Sequence, residues 1–151
     1  MSVDLIKMWH ERARPSPTHA NFNVQLGCHL EEIAEMLDAT SIYSVMEDGE
    51  DGGAIDHSLW LAVKTFAEGL KSGSLNALVL DRTNFLDGIA DQIVTGVGVA
   101  HCAKMDIAEA LRRVNVSNWS KYDFDGQPLF DENGKISKGP NYVKPDLKGL
   151  C

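Results

Sequence analysis

The sequence predicts an all-α fold, in which a bundle of about five helices is followed by an extended C-terminal tail. Three observations lead to this prediction. A chain of 151 residues, 44% of them hydrophobic, is long enough to fold around one core. Apolar residues recur at the spacing of amphipathic helices as far as residue 116. Beyond that residue the periodicity stops and turn sequences containing glycine and proline take over.

The first two predicted helices are separated by prolines. The first spans residues 2–14 and ends at the Pro-Ser-Pro sequence of residues 15–17, because proline interrupts a helix. The second begins after Asn21 or Asn23, whose side chains are suited to cap a helix, and runs to about residue 45.

An acidic, glycine-rich sequence at residues 47–53 is predicted to form a solvated connection before the remaining helices. The third helix is predicted over residues 55–71, and the fourth, the longest, over residues 75–103. Asp106 is suited to cap a fifth helix that ends near residue 116. One face of the fourth helix is apolar along its length: Phe85, Leu86, Ile89, Ile93, Val97 and Ala100.

The tail is expected to be ordered and extended. The dipeptide Asn133-Gly134 favours one small hairpin within it. Aromatic residues along the tail are expected to pin it to the helices, an anchor that a disordered linker lacks. These residues are Tyr122, Phe124, Phe130 and Tyr142.

Composition excludes several classes of partner. A formal charge of −8 argues against a DNA or RNA polymer, because proteins grip nucleic-acid backbones with an excess of lysine and arginine. No stretch approaches 18 consecutive apolar residues and the N-terminus lacks a secretion signal, so we expect a cytoplasmic protein without a membrane partner. The cysteines Cys28, Cys102 and Cys151 are widely spaced and are expected to be reduced thiols.

Carboxylates cluster on the second predicted helix. None has a lysine or arginine three or four residues away, so their mutual repulsion is uncompensated within the helix. A hard divalent cation such as Mg²⁺ would relieve that repulsion, whereas a solvated acidic face is the competing interpretation. The cluster comprises Glu31, Glu32, Glu35 and Asp38, of which Asp38 is interpreted as a surface residue.

A second acidic pair lies on the fourth predicted helix. Asp87 and Asp91 are one helical turn apart and have no basic residue at helical spacing. If the second and fourth helices pack antiparallel, these two carboxylates can face the glutamates of the second helix. The competing interpretation again is a solvated face.

These residues, together with two tail motifs, resemble a known family. The motifs are N-x-S-N-W-S-K at residues 115–121 and G-K-x-x-K-G-P-x-Y-x-x-P-D-L at residues 134–147. With the acidic pairs, they resemble the MazG-like, phosphoribosyl-ATP pyrophosphohydrolase-like family of all-α nucleoside triphosphate pyrophosphohydrolases, and its phage-type branch in particular. The resemblance covers about residues 25–147.

The family's metal motif is E-x-x-E on one helix and E-x-x-D on another. Glu32 and Glu35 fit the first half, and Asp91 fits the end of the second. Gly88 stands where the family has its second-half glutamate, and the nearest carboxylate is that of Asp87. The resemblance therefore implies a metal set in which Asp87 replaces that glutamate: Glu31, Glu32, Glu35, Asp87 and Asp91.

The activity that the resemblance implies is the Mg²⁺-dependent hydrolysis of a nucleoside or deoxynucleoside triphosphate to the monophosphate and pyrophosphate, with Mn²⁺ as a substitute. One of Glu31, Glu32 and Glu35 would take the proton from the attacking water. Deoxynucleotide pool control or a phage modified-base pathway would use this reaction, with dGTP, dATP, dCTP or dUTP as substrate. A non-catalytic helical module that binds nucleotide or another protein is the alternative.

The resemblance also implies how substrate is held and how chains assemble. All 151 residues would form one domain, with the tail of residues 118–151 extended over the site in a homodimer or homotetramer, in the host cytoplasm if the gene is a phage's. Residues of the tail motifs would contact phosphate and sugar: Asn118, Lys121, Lys135, Lys138 and Tyr142.

Overall fold

Five helices carry most of the chain in the computed structural model, which describes residues 2–40, 43–45, 51–54 and 58–151. The predicted all-helical body is therefore confirmed. Within the described residues no helix combines the length and the apolar character needed to cross a membrane. The helices are α1 (Ser2–Ala13), α2 (His19–Asp38), α3 (Ser58–Ser72), α4 (Arg82–Cys102) and α5 (Ile107–Trp119).

A short antiparallel hairpin lies between α2 and α3. Its strands are β1 (Tyr43–Val45) and β2 (Asp51–Ala54), and Tyr43 pairs with Ala54. Residues 51–53 of the predicted solvated connection belong to β2, and residues 46–50 lie outside the described part of the chain.

Side-chain caps set the helix boundaries that periodicity misplaced. Thr18, rather than Asn21 or Asn23, caps α2: its hydroxyl accepts a hydrogen bond from the Asn21 amide (3.2 Å), and the Asn21 side chain accepts one from the Thr18 amide (3.0 Å). Asp81 caps α4, accepting from the amides of Thr83 and Asn84, so this helix begins at Arg82 and not at residue 75. Capping of α5 by Asp106 is confirmed.

The described contacts divide the chain into two compact units. The first, called the terminal unit, comprises Met1–Ser16, Leu78–Asp131 and Ile136–Cys151. The second, called the α2–α3 unit, comprises Pro17–Ala77 and Glu132–Lys135. The prediction that all 151 residues form one domain stays a prediction.

Close helix packing defines the α2–α3 unit. A Cβ atom on Gly27 would lie 2.8 Å from the carbonyl oxygen of Ala67, so glycine lets α2 approach the backbone of α3. The buried Asn23 side chain donates to Asn76 (2.8 Å) and accepts from the amide of Ala77 (3.1 Å), just beyond the end of α3. The start of α2 therefore lies beside the end of α3, and the two helices run antiparallel.

Aromatic packing anchors the start of the tail in the terminal unit. The ring of Trp9 stacks on Tyr122 with centroids 6.0 Å apart, and the Tyr122 hydroxyl donates to the Trp9 carbonyl (2.7 Å). Phe124 was wrongly predicted as an anchor, since it is 83% exposed. The predicted small hairpin is confirmed by an antiparallel bridge between Phe130 and Ile136.

The apolar face of α4 is largely exposed within the described chain. None of the described residues of α4 is buried, and Leu86 is 69% exposed. A helix face of this kind normally packs against another surface.

Candidate functional site

A groove of about 210 Å³ runs between α2 and α3. Its lining includes two of the predicted catalytic glutamates, whereas Glu32 is exposed and is not part of the lining. The four carboxylates of the lining are Glu31, Glu35, Asp38 and Glu68, and its two ammonium groups are those of Lys64 and Lys71. The ammonium of Lys135 also contacts Glu31, so four negative charges lie with three positive ones and the groove keeps a small negative excess.

The carboxylate of Glu31 is held by two lysines. The ammonium of Lys71 on α3 donates to Oε1 at 2.5 Å, and that of Lys135 in the tail donates to Oε2 at 2.9 Å. The Lys71 side chain is 17% exposed, the Glu31 side chain 30% and the Lys135 side chain 44%. Each oxygen of this carboxylate therefore has its own charged donor in a partly desolvated position.

The surroundings shift the ionisation of this group of residues. Burial, the largest single influence, raises the pKa of Glu31, but the hydrogen bonds from Lys71 and Lys135 together outweigh it and leave the pKa below its usual value. The hydrogen bond to Glu31 is the main reason that the pKa of Lys135 is raised. Both groups are therefore charged at neutral pH.

Lys71 is a site residue that sequence reasoning missed. No lysine or arginine lies at helical spacing from Glu31 on α2. The charge of Glu31 is nevertheless compensated, because its basic partners come from α3 and from the tail. The antiparallel pairing of α2 and α3 would have predicted this contact, since it places the end of α3 next to the middle of α2. That pairing is not visible in helix periodicity.

The aspartates of the predicted metal set lie on another element. Asp87 and Asp91 are exposed residues of α4 in the terminal unit, whereas the three glutamates belong to the α2–α3 unit. Among the residues that the structure describes, no three His, Cys, Asp or Glu side chains converge closely enough to hold a metal ion. The predicted meeting of the two acidic groups stays a prediction.

Four of the five predicted substrate contacts lie near one another in the terminal unit. The amide of Gly139 donates to the carbonyl of Lys121 (2.9 Å), which brings the neighbouring Lys138 to the end of α5. The ammonium of Lys138 lies 5.0 Å from the centre of the Tyr142 ring. Asn118 accepts a hydrogen bond from the Trp9 indole through its backbone carbonyl. The fifth contact, Lys135, belongs to the α2–α3 unit.

The two tail motifs are joined by backbone and hydroxyl hydrogen bonds. Ser117 donates to the carbonyl of Val143 (2.7 Å), and the amide of Val143 donates to the hydroxyl of Ser120 (2.8 Å). A Cβ atom on Gly139 would lie 2.4 Å from the carbonyl oxygen of Lys121. The second motif therefore requires glycine where it passes the end of the first.

The groove presents carboxylate oxygens, although both oxygens of Glu31 already accept from lysines. Carboxylate oxygens are the ligands that the hard cation Mg²⁺ prefers, and it usually takes one or two of them together with waters and substrate phosphates rather than an all-protein cage. Glu31 and Glu35, one turn apart on α2, are the pair that lines the groove and belongs to the predicted set. The volume of the groove is below the roughly 300–1,000 Å³ of small-molecule sites, so the groove alone holds only part of a nucleotide.

The chain matches no protein-family model, no curated protein and no solved structure.

Proposed function

We propose that the chain is a Mg²⁺-dependent nucleoside triphosphate pyrophosphohydrolase, which cleaves a ribo- or deoxyribonucleoside triphosphate to the monophosphate and pyrophosphate. The observation that supports this most is the α2–α3 groove, where Glu31 and Glu35 lie with the ammonium groups of Lys64 and Lys71. Carboxylates suit the cation that accompanies a triphosphate, and ammonium groups suit the phosphate oxygens that the cation leaves uncovered.

Each group of residues has a role in this proposal. Mg²⁺, or Mn²⁺ in its place, would supply neutralisation of the triphosphate and acidification of the attacking water. Glu31, Glu32 and Glu35 would hold the cation, and one of them would take the proton from the water. Asp87 and Asp91 of α4 are the other two residues of the predicted metal set, and their part in it stays a prediction. The residues proposed to contact phosphate and sugar are the tail residues Asn118, Lys121, Lys135, Lys138 and Tyr142.

A second candidate function is a non-catalytic helical module that binds nucleotide or another protein. Two observations favour it. Gly88 stands at the position where the resembled family has a metal-binding glutamate. The described residues also contain no convergent set of three metal ligands. This candidate predicts nucleotide or protein binding without turnover.

The proposal includes assembly into a homodimer or homotetramer. Its support is the exposed apolar face of α4, because contiguous apolar surface of this kind marks an interaction site. Light scattering on the purified protein at micromolar concentration is expected to give a mass at least twice that of one chain. A mass equal to one chain contradicts this part of the proposal.

A nucleotide panel tests the activity. The purified protein is incubated with the four NTPs, the four common dNTPs and dUTP, with and without Mg²⁺ or Mn²⁺, and pyrophosphate and nucleotide products are measured separately. We expect metal-dependent release of pyrophosphate together with a nucleoside monophosphate from at least one of these nucleotides. Release of free phosphate with a diphosphate, or no cleavage, contradicts the proposal and favours the binding module.

A further inference from the structure

The apolar face of α4 changes in size from one end of the helix to the other. Phe85 and Ile89 lie in the first half of the helix, and Gly96 and Ala100 lie in the second half. At about 100° per residue, these four positions fall within about 60° of one another around the helix axis, so they share one face. The face therefore carries large side chains near its beginning and small ones near its end.

Much of this face is open to solvent in the described chain. Phe85 is 36% exposed, Val97 42% and Ile93 51%. A Cβ atom on Gly96 would meet nothing within 4 Å in the described structure, so the space over this glycine is open. Covering the face with another apolar surface is favourable, because it removes these side chains from water.

Two copies of the face fit each other when the helices pack antiparallel. If a two-fold axis passes beside Ile93, Phe85 of one copy meets Ala100 of the other, and Ile89 meets Gly96. Each large side chain then lies against a small one, which fills space as a packed core does. A parallel pair would set Phe85 against Phe85 and leave a void at Gly96.

The charges along α4 favour the same direction. Residues 81–92 contain three aspartates and one arginine, a net charge of −2. Residues 93–104 contain no acid and carry the positive charge of Lys104. Antiparallel packing brings the acidic beginning of one helix beside the basic end of the other and also opposes the two helix dipoles.

The chain also exposes enough surface for such an interface. Its accessible surface is 10960 Å². A compact monomer of 16.6 kDa exposes about 7,600 Å². A stable dimer buries roughly 800 Å² on each partner, which is well within this excess.

We propose that α4 packs antiparallel against α4 of a second copy of this chain, with the two-fold axis beside Ile93. The inference rests on the assembly included in the proposed function and specifies its interface. It requires neither a cation nor a nucleotide.

Light scattering on two variants of α4 tests the face. Ile93→Glu brings two carboxylates together beside the two-fold axis, so it is expected to raise the dissociation constant of the pair at least about tenfold and to lower the mass at micromolar concentration. Val94→Glu is the matched control. Val94 is 68% exposed and lies about 150° from the centre of the face, so this variant is expected to keep the mass of the unmodified protein.

Disulfide trapping tests the direction of packing. In a chain whose three native cysteines are replaced by serine, Phe85→Cys and Ala100→Cys are made as separate, differently tagged variants and are expressed alone and together. A disulfide requires Cα atoms within about 7 Å, and positions 85 and 100 are about 22 Å apart along one helix. We expect a disulfide between the two variants and none when either is expressed alone. Parallel packing predicts the reverse.

The outcomes separate this inference from the proposed assembly and activity. If Ile93→Glu keeps the mass of the unmodified protein, or if the two cysteine variants do not form a disulfide with each other, the α4 pairing is refuted, while an oligomeric mass leaves the proposed assembly standing. A mass of one chain for the unmodified protein refutes both. Nucleotide cleavage is measured separately in the panel, so neither result is confused with a failure of the activity.

Discussion

Replacing Glu32 and Glu35 together with glutamine is expected to lower nucleotide turnover by at least about 100-fold. Replacing a residue that only hydrogen-bonds to a metal ligand typically lowers activity by about 10- to 100-fold, and the loss of two carboxylate ligands themselves is expected to have a larger effect. The substitution keeps the size and shape of both side chains. In the proposed function it removes the charge that would hold the cation and activate the water. Turnover is measured as pyrophosphate released from the nucleotide preferred in the panel.

The same variant is expected to unfold at an unchanged or slightly higher temperature. Like charges one turn apart on a helix cost about 0.2–0.5 kcal/mol per pair, and Glu35 forms such pairs with Glu31 and Glu32. Glu11→Gln, an exposed substitution on α1, is the control and is expected to keep full turnover. If the double variant keeps its turnover, the glutamates belong to a solvated face and the catalytic proposal fails.

Replacing Gly139 with alanine is expected to destabilise the protein by about 1–3 kcal/mol and to lower its unfolding temperature by several degrees. The added Cβ would lie 2.4 Å from the carbonyl oxygen of Lys121, and this obstacle is backbone that cannot rotate away. The hydrogen bond from Gly139 to the same carbonyl must break when the tail moves. Lys138 and Tyr142 move with the tail, so the KM for nucleotide is expected to rise.

Gly98→Ala is the matched control for this variant. Gly98 lies within α4, and a Cβ atom there meets nothing within 4 Å in the described structure. Alanine in a helix is favoured over glycine by roughly 0.5–1 kcal/mol, so this variant is expected to unfold at a slightly higher temperature. If Gly139→Ala unfolds at the same temperature as the unmodified protein, the tail does not approach Lys121 as described.

The periodicity of apolar residues predicted the helices but misplaced their ends, because capping side chains decide where a helix begins. The apolar spacing of α4 continues into residues 75–81, but the side chain of Asp81 accepts the first free amides and starts the helix there. A hairpin of three- and four-residue strands leaves too short a pattern to detect. Helix existence depends on many residues, whereas each end depends on one or two.

In the candidate site, too, some features could be predicted from the sequence and others could not. Spacing along α2 was enough to bring Glu31 and Glu35 to one groove, because they share a helix. Lys71 was out of reach of sequence reasoning, since its contact with Glu31 depends on the close packing of α2 and α3 at Gly27. The link between Lys121 and Gly139 likewise arises from two motifs that meet only in the folded chain.

Hydrolysis in oxygen-18-labelled water tests the central claim most directly. The protein is incubated with Mg²⁺ and the nucleotide preferred in the panel. The products are separated, and the mass of each is measured by mass spectrometry. Attack of water on the α-phosphorus predicts one labelled oxygen in the nucleoside monophosphate and none in the pyrophosphate. Label in pyrophosphate or in free phosphate, or no Mg²⁺-dependent product at all, would contradict the proposed pyrophosphohydrolase.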